Sequence, residues 1–208
     1  MSALPVGWSE LPLAEICKVS YGKALAKEAR SSTGPFHYVG SGGSIARTDD
    51  PLVRSETIVV GRKGTAGSVQ RYPNGCWPSD TTFYLEVPGE LDGQLIEHQL
   101  RAAQLGQHDR STALPGLGRP DLERTGIRVP PRSEQERIVT AIEEAFSKLD
   151  AGEVALRATR QRLKRLRESV LAAAVTGRLV PQDPTDEPAE ELLGRIRGKA
   201  AVQKGRSK

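Results

Sequence analysis

Residues 130–177 read PPRSEQERIVTAIEEAFSKLDAGEVALRATRQRLKRLRESVLAAAVTG, and the spacing of their apolar side chains decides how this chain is built. From Ile138 onward, Ile142, Ala145, Leu149, Gly152, Leu156, Thr159, Leu163, Leu166, Val170 and Ala173 alternate by four and three, the heptad period of a coiled-coil seam. The a positions are large (Ile142, Leu149, Leu156, Leu163, Val170), whereas most d positions (Ala145, Gly152, Thr159, Ala173) are small and favour close packing. Ser133 and Glu136 have the spacing of a capping box, which predicts a helix start there. Gly177 predicts the stop, since glycine readily takes the left-handed conformation that ends a helix. The expected element is about 40 residues, or roughly 60 Å at 1.5 Å per residue. Asp150-Ala151-Gly152 is its expected weak point, because a mid-helix glycine costs about 1 kcal/mol relative to alanine.

The charges on this helix are segregated. Glu134, Glu136, Glu143, Glu144, Asp150 and Glu153 dominate the first half against Arg137 and Lys148, while Arg157, Arg160, Arg162, Lys164, Arg165 and Arg167 dominate the second against Glu168. A parallel pair of copies would set like charges side by side; an antiparallel pair sets acid against base. That pairing faces Leu156 with Thr159, Leu149 with Leu166 and Ile142 with Ala173, and brings Glu153 near Arg160. Exposed ion pairs are worth only about 0–1 kcal/mol each, so they select orientation more than they supply affinity. The competing reading packs the seam on the chain's own core and leaves the basic half as a solvated face.

Upstream, the composition changes to short β-branched runs broken by Gly, Pro and Asn. Thr57–Val60, Gly67–Arg71, Thr81–Val87 and Ile127–Val129 read as strands, with Leu11–Ser20 as a further candidate. Gln94–Leu105 has helical spacing, and Pro120–Arg124 reads as one helical turn. Downstream, residues 181–188 (PQDPTDEP) read as an extended linker, followed by a short helix over Ala189–Arg197 and a frayed basic tail. The fold class expected is therefore α+β: a mixed, β-rich domain over residues 1–132, a long helix over 133–177, and a linker, short helix and tail over 178–208.

Several function classes lose support from composition. The hydrophobic fraction of 37% and charged fraction of 27% describe an ordinary folded protein rather than a disordered one. No apolar run approaches the roughly 18 residues of a membrane span, and Met1–Ser9 has no secretory pattern, so the cytoplasm is the expected location. Cys17 and Cys76, the two cysteines, lie in no Cys-x-x-Cys pair and read as buried thiols. The net charge of +4 is compatible with a polyanionic partner. No catalytic residue and no metal site is assigned: His37, His98 and His108 lack ligand spacing, no amine-methylation motif or glycine-rich turn for S-adenosylmethionine is present, and the Asp80/Glu86 pair lacks a nuclease lysine.

The polar loops supply side chains suited to phosphate oxygens and base edges. Gly61-Arg62-Lys63-Gly64-Thr65-Ala66-Gly67 follows a strand and precedes another, so it is not a Walker loop. Its glycines allow tight turns and its cations suit phosphate or guanine. Trp77-Pro78-Ser79-Asp80-Thr81-Thr82, Gly40-Ser41-Gly42-Gly43-Ser44 with Arg47 nearby, and Arg110-Ser111-Thr112 carry similar chemistry. The candidate DNA-binding set is Ser41, Arg47, Arg62, Lys63, Thr65, Ser79, Thr81, Arg110 and Ser111. Each pattern is also that of an ordinary turn, and Trp77 is read as core rather than stacked on a base.

Taken in order, Trp8 and Leu11, Val60-Gly61-Arg62-Lys63-Gly64-x-x-Gly67, Leu114-Pro115-Gly116-Leu117 with Leu122, Val129-Pro130-Pro131-x-x-Glu134-Gln135-x-x-Ile138 and Thr176-Gly177-Arg178-Leu179 resemble one repeat of the specificity subunit of Type I restriction-modification enzymes. The resemblance spans roughly residues 5–197, and the Pro-Pro-x-x-Glu-Gln approach to the helix is its most specific part. It implies a target-recognition domain followed by a helical region. Full-length members carry two of each, with the helices antiparallel, and read double-stranded DNA in two separated halves. With one of each here, a half-length form that homodimerises through Ile142, Leu149, Leu156, Leu163, Leu166 and Val170 is expected. The resemblance further implies docking of a DNA methyltransferase (modification) subunit that brings the S-adenosylmethionine, with a restriction subunit as a further candidate partner. Two other classes stay open at this point. A stand-alone restriction endonuclease would cut DNA with magnesium, and a coiled-coil interaction adaptor would give no salt-dependent gel shift.

Overall fold

The computed structural model describes residues 4–108 and 116–206, with side chains over 4–106 and 116–198. It divides into two units, Met1–Phe146 and Ser147–Lys208.

In the first unit, β1 (Ser9–Pro12) pairs antiparallel with β9 (Gly126–Val129), tying the start of the domain to the segment that leads into the long helix. The expected strand over Leu11–Ser20 is interrupted. Pro12, which has no N–H for a ladder, closes β1, and a helical turn α1 (Leu13–Ile16) buries Leu13 before β2 (Val19–Tyr21) resumes. A three-stranded sheet contains β3 (Phe36–Gly40), β4 (Gly43–Thr48) and β7 (Trp77–Pro78), in the order β4-β3-β7. A four-stranded antiparallel sheet contains β5 (Thr57–Gly61), β6 (Val69–Tyr72) and β8 (Thr82–Glu86) with β2, in the order β2-β8-β5-β6.

The β-branched run at β5 explains why this strand is central. Successive side chains point to opposite faces. Ile58 and Val60 join the main core with Phe83 and Leu85 of β8, whereas Val59 meets Val39 and Cys76 in a second, smaller cluster. The main core is closed by α2 (Gly93–Ala102), whose Ile96 and Leu100 are buried, and by α3 (Arg119–Glu123), which buries Leu122. The Asp92 carboxylate caps α2, accepting from the amides of Gln94 at 2.9 Å and Leu95 at 3.2 Å.

Both cysteines are buried free thiols. Burial pushes Cys17 up to about 11 and Cys76 up to about 12, from a usual 9.0. A raised folded-state value means the fold favours the neutral thiol, so this stability is full below pH 9 and is lost as pH climbs toward 11. Urea denaturation at pH 8 and pH 10.5 should show lower stability at the higher pH, with Cys17→Ala/Cys76→Ala flattening that part of the dependence. A wild-type curve no steeper than that of the variant would contradict the assignment.

The long helix α4 spans Arg132–Val175, 44 residues. It runs without a break through Gly152, and its stop is as expected. Gly177 has φ +69, Arg178 N–H donates to Ala173 O at 2.8 Å, and Gly177 N–H donates to Ala174 O at 3.2 Å, the two bonds of a Schellman ending. Its start differs from the expected capping box. The helix begins one residue before Ser133, the amides of Glu134 and Gln135 are satisfied by Pro131 O, and the Glu136 carboxylate pairs with Arg132 at 3.5 Å. Gln135 takes over the anchoring role. It is buried, its Oε1 accepts from Asp92 N–H at 2.8 Å, and its Nε2 donates to Pro130 O at 3.0 Å. In the second unit, α5 runs over Ala189–Arg206, so most of the segment expected to fray continues the helix.

Candidate nucleic-acid interface

The antiparallel order β2-β8-β5 brings the C-terminal ends of β2 and β5 beside the N-terminal end of β8. Three loops therefore meet around one atom, the carbonyl oxygen of Thr81. It accepts from Ser41 Oγ at 2.6 Å, from Arg62 N–H at 2.9 Å and from Lys63 N–H at 3.2 Å. Gly61 makes this approach feasible, because a Cβ there would lie 2.2 Å from Thr65 O and 2.6 Å from Ser68 Oγ. A further segment joins through the Lys63–Gly116 bridge and the Leu117 N–H to Arg62 O bond of 2.9 Å.

This geometry divides the sequence-derived residues by role. Ser41 and Ser79 are buried. The Ser41 hydroxyl is committed to Thr81 O, and the Ser79 hydroxyl lies 2.8 Å from Thr81 Oγ1, so these two serines and Thr81 hold loop geometry. Lys63 and Thr65 are exposed on the Gly61–Gly67 turn. Arg62 is half-buried and fixed, donating to Asp80 O at 2.7 Å. Arg47 stands apart from the group: its guanidinium donates to Gly34 O at 3.0 Å and Pro35 O at 3.2 Å. Arg110 and Ser111 lie outside the described residues. Trp77 is half-buried, its indole donating to Lys23 O at 2.8 Å.

Three residues without a distinctive motif of their own complete the cluster. Tyr21 is 47% exposed, with the Arg62 guanidinium 5.4 Å and the Arg119 guanidinium 5.7 Å from its ring centroid. Two guanidiniums within about 6 Å of one aromatic ring put cation–π attraction and positive charge on an exposed surface. Exposed Lys23 follows Tyr21 by two residues, and its N–H donates to Pro78 O at 2.9 Å. The Tyr21-Gly22-Lys23 pattern was the available signal; Arg119 carried none, since α3 brings it to Tyr21 only in three dimensions. The surface thus presents Lys23, Arg62, Lys63 and Arg119 around an aromatic plane, with Asp80 exposed beside it and Glu123 paired to Arg119 at 2.7 Å. Such a surface is suited to phosphate oxygens and base edges.

On α4 the seam is uncovered within a single chain: Leu149, Leu156, Leu163, Leu166 and Val170 are between 43% and 66% exposed. Ile142 is half-buried. Glu153 pairs along its own helix with Arg157 at 2.5 Å, and an exposed pair of this kind is weak enough to exchange for another partner. Among the described residues no cluster of three His, Cys, Asp or Glu side chains could hold a metal ion, and no helix is long and apolar enough to cross a membrane.

A β-rich domain with a cationic loop surface, continuing into a seam-bearing helix, is the architecture of a macromolecular recognition module. Residues 5–161 match the Type I restriction modification DNA specificity domain, and the chain belongs to that family. It is similar to the Type I restriction enzyme EcoDI specificity subunit of Escherichia coli, 23% identical over 90% of this chain and 44% of the relative. Two solved structures share its fold. A chain from work on complex assembly and conformational transition of the type I R-M system has a TM-score of 0.68 at 20% identity, covering 83% of this chain and 47% of that one. The HsdS subunit of Thermoanaerobacter tengcongensis has a TM-score of 0.63 at 21% identity, over 86% and 47%. The chain spans about half the length of the relatives it matches.

Proposed function

We propose that this chain is a sequence-specific DNA-binding specificity subunit of a Type I restriction-modification complex, acting in the cytoplasm as an antiparallel homodimer. The observation that carries the DNA reading is the cluster of Arg62 and Arg119 on Tyr21, with Lys23 and Lys63 exposed on neighbouring segments. Lysines grip phosphates, the fixed guanidiniums and Thr65 read base edges, and the buried Ser41, Ser79 and Thr81 hold the loops in register. Arg47, whose guanidinium is held by Gly34 O and Pro35 O, is a further candidate contact away from this cluster, and Arg110 and Ser111 are candidates by residue type alone.

The helix sets the spacing. Two copies paired through Ile142, Leu149, Leu156, Leu163, Leu166 and Val170 present two readers related by a two-fold axis, so the target is palindromic and bipartite. The 44 residues of α4 correspond to about 66 Å, which exceeds one DNA turn of roughly 34–36 Å. A DNA methyltransferase subunit docked on this frame supplies S-adenosylmethionine and the methyl-transfer chemistry, and a restriction subunit joins the same complex.

Arg62→Ala/Lys63→Ala should weaken DNA binding by about 1–3 kcal/mol for each base these side chains read, and should reduce the salt slope by about one for each phosphate they neutralise. A gel shift across a salt series measures both. Unchanged affinity at low salt discards the interface. Co-purification with a methyltransferase subunit, followed by mapping of methylated adenines in the host genome, identifies the target; cleavage of DNA by the pure chain with magnesium would support the endonuclease reading instead.

A further inference from the structure

A groove of about 510 Å³ opens beside the first turns of α4, lined by Trp8, Leu95, His98, Ala102, Ile138 and Ile142 among others. It belongs to the first unit. Three observations bear on what fills it. Its floor is the heptad seam itself, because Ile138 and Ile142 are the d and a residues that precede Ala145. Its lining includes two buried ring nitrogens, Trp8 Nε1 and His98 Nε2, that have no hydrogen-bond partner among the described residues; the indole N–H can only donate. Its charged lining is one acid and one base, Glu10 and Arg128, which pair with each other at 3.0 Å.

Extending the antiparallel register selects one occupant. Facing positions that pair Leu156 with Thr159 and Ile142 with Ala173 also pair Ile138 with Gly177. The segment that arrives at the groove is therefore the end of the other copy's helix. There Val175 is 84% exposed, and Leu179 and Val180 are also exposed. Residues 169–182 contain no acidic side chain and one basic one, Arg178, so a mostly apolar segment arrives at a groove whose own two charges are already paired. The Schellman bonds occupy Ala173 O and Ala174 O, so the acceptors this helix end can offer an indole N–H are the next carbonyls, of Val175 and Thr176.

We infer that the groove between Trp8, His98 and Ile138 is the docking site for residues Ala173–Val180 of a second copy of this chain, locking each helix end onto the opposite recognition domain. This rests on the antiparallel dimer proposed above. Its consequence is that the separation of the two DNA readers is set by a contact at each end as well as by the seam between them.

The test uses the full-length chain. One preparation carries Ala102→Cys and another Leu179→Cys; they are mixed at a concentration where sedimentation velocity reports a dimer, then oxidised. A disulfide-linked pair that forms only when both preparations are present is expected. Separately, Val175→Asp/Leu179→Asp, at exposed positions, should raise the concentration at which the dimer half-dissociates by about tenfold or more. A wild-type dimer with no cross-link, and with the aspartate variant dimerising as tightly, overturns the groove contact while leaving the seam dimer standing. A wild-type chain that stays monomeric at every concentration overturns the antiparallel dimer and the groove contact with it.

Discussion

Leu156→Asp/Leu163→Asp is expected to leave the recognition domain folded and to abolish self-association, converting the chain to a monomer across the micromolar range. Both leucines are more than half exposed in the single chain, at 53% and 55%, so intrachain packing loses little. In the antiparallel register Leu156 faces Thr159 and Leu163 faces Gly152. The two-fold axis repeats each substitution, so four buried leucines become four charges in one dimer. Fully burying a leucine is worth roughly 1.5–3 kcal/mol, and even the lower figure, counted four times, removes several orders of magnitude from the dimer constant. Sedimentation velocity reads the change, and circular dichroism checks that helix and strand content persist. Bipartite DNA binding should fall to that of a single half-site. A variant that dimerises like wild type would mean that the seam packs elsewhere.

The second large effect is expected at Gln135. Its amide is a buried polar side chain, and it joins Asp92 N–H on one side to Pro130 O on the other. Gln135→Ala leaves a donor and an acceptor without partners, at about 1–3 kcal/mol each, so a loss of about 2–5 kcal/mol is predicted from urea denaturation. Gln135→Glu keeps an acceptor for Asp92 N–H but buries a carboxylate oxygen against Pro130 O, so at neutral pH its stability should fall at least as far as that of the alanine variant. Because Asp92 caps α2 while Pro130 leads into α4, the alanine variant should also loosen the start of the long helix, visible as faster amide exchange over residues 132–139. Stability equal to wild type would show that Gln135 is not the anchor described.

Gln135 also illustrates how unevenly the chain could be read in advance. The Pro130-Pro131-x-x-Glu134-Gln135 pattern was conspicuous, yet local rules assigned its helix start to Ser133 and Glu136. The capping box gave way because Pro131 already supplies the acceptor for the first amides and Arg132 claims the Glu136 carboxylate. Leu11–Ser20 failed for a related reason. Its apolar content suits a strand, but Pro12, the last residue of the ladder with β9, brings no N–H to it and the core draws Leu13 inward into a helical turn. By contrast, the β5 run TIVV could not be mistaken, since both of its faces are covered.

The loops show where local reading stops. Ser41 and Ser79 look as suitable for DNA as Lys63 and Thr65 in a linear pattern, but the Ser41 hydroxyl is spent on the Thr81 carbonyl, 40 residues along the chain, and the Ser79 hydroxyl on the Thr81 hydroxyl. The stack of Arg62 and Arg119 on Tyr21 joins three distant segments, and no spacing rule reaches across them.

The amino-acid order alone determined the helix, its apolar stripe and the acid-to-base gradient along it. Those properties depend on residues three or four apart, and the helix repeat converts such spacing directly into a face. Only the tertiary structure decided which polar side chains of the loops are spent inside the protein and which remain for a partner, because burial and hydrogen bonding depend on segments brought together by the two sheets.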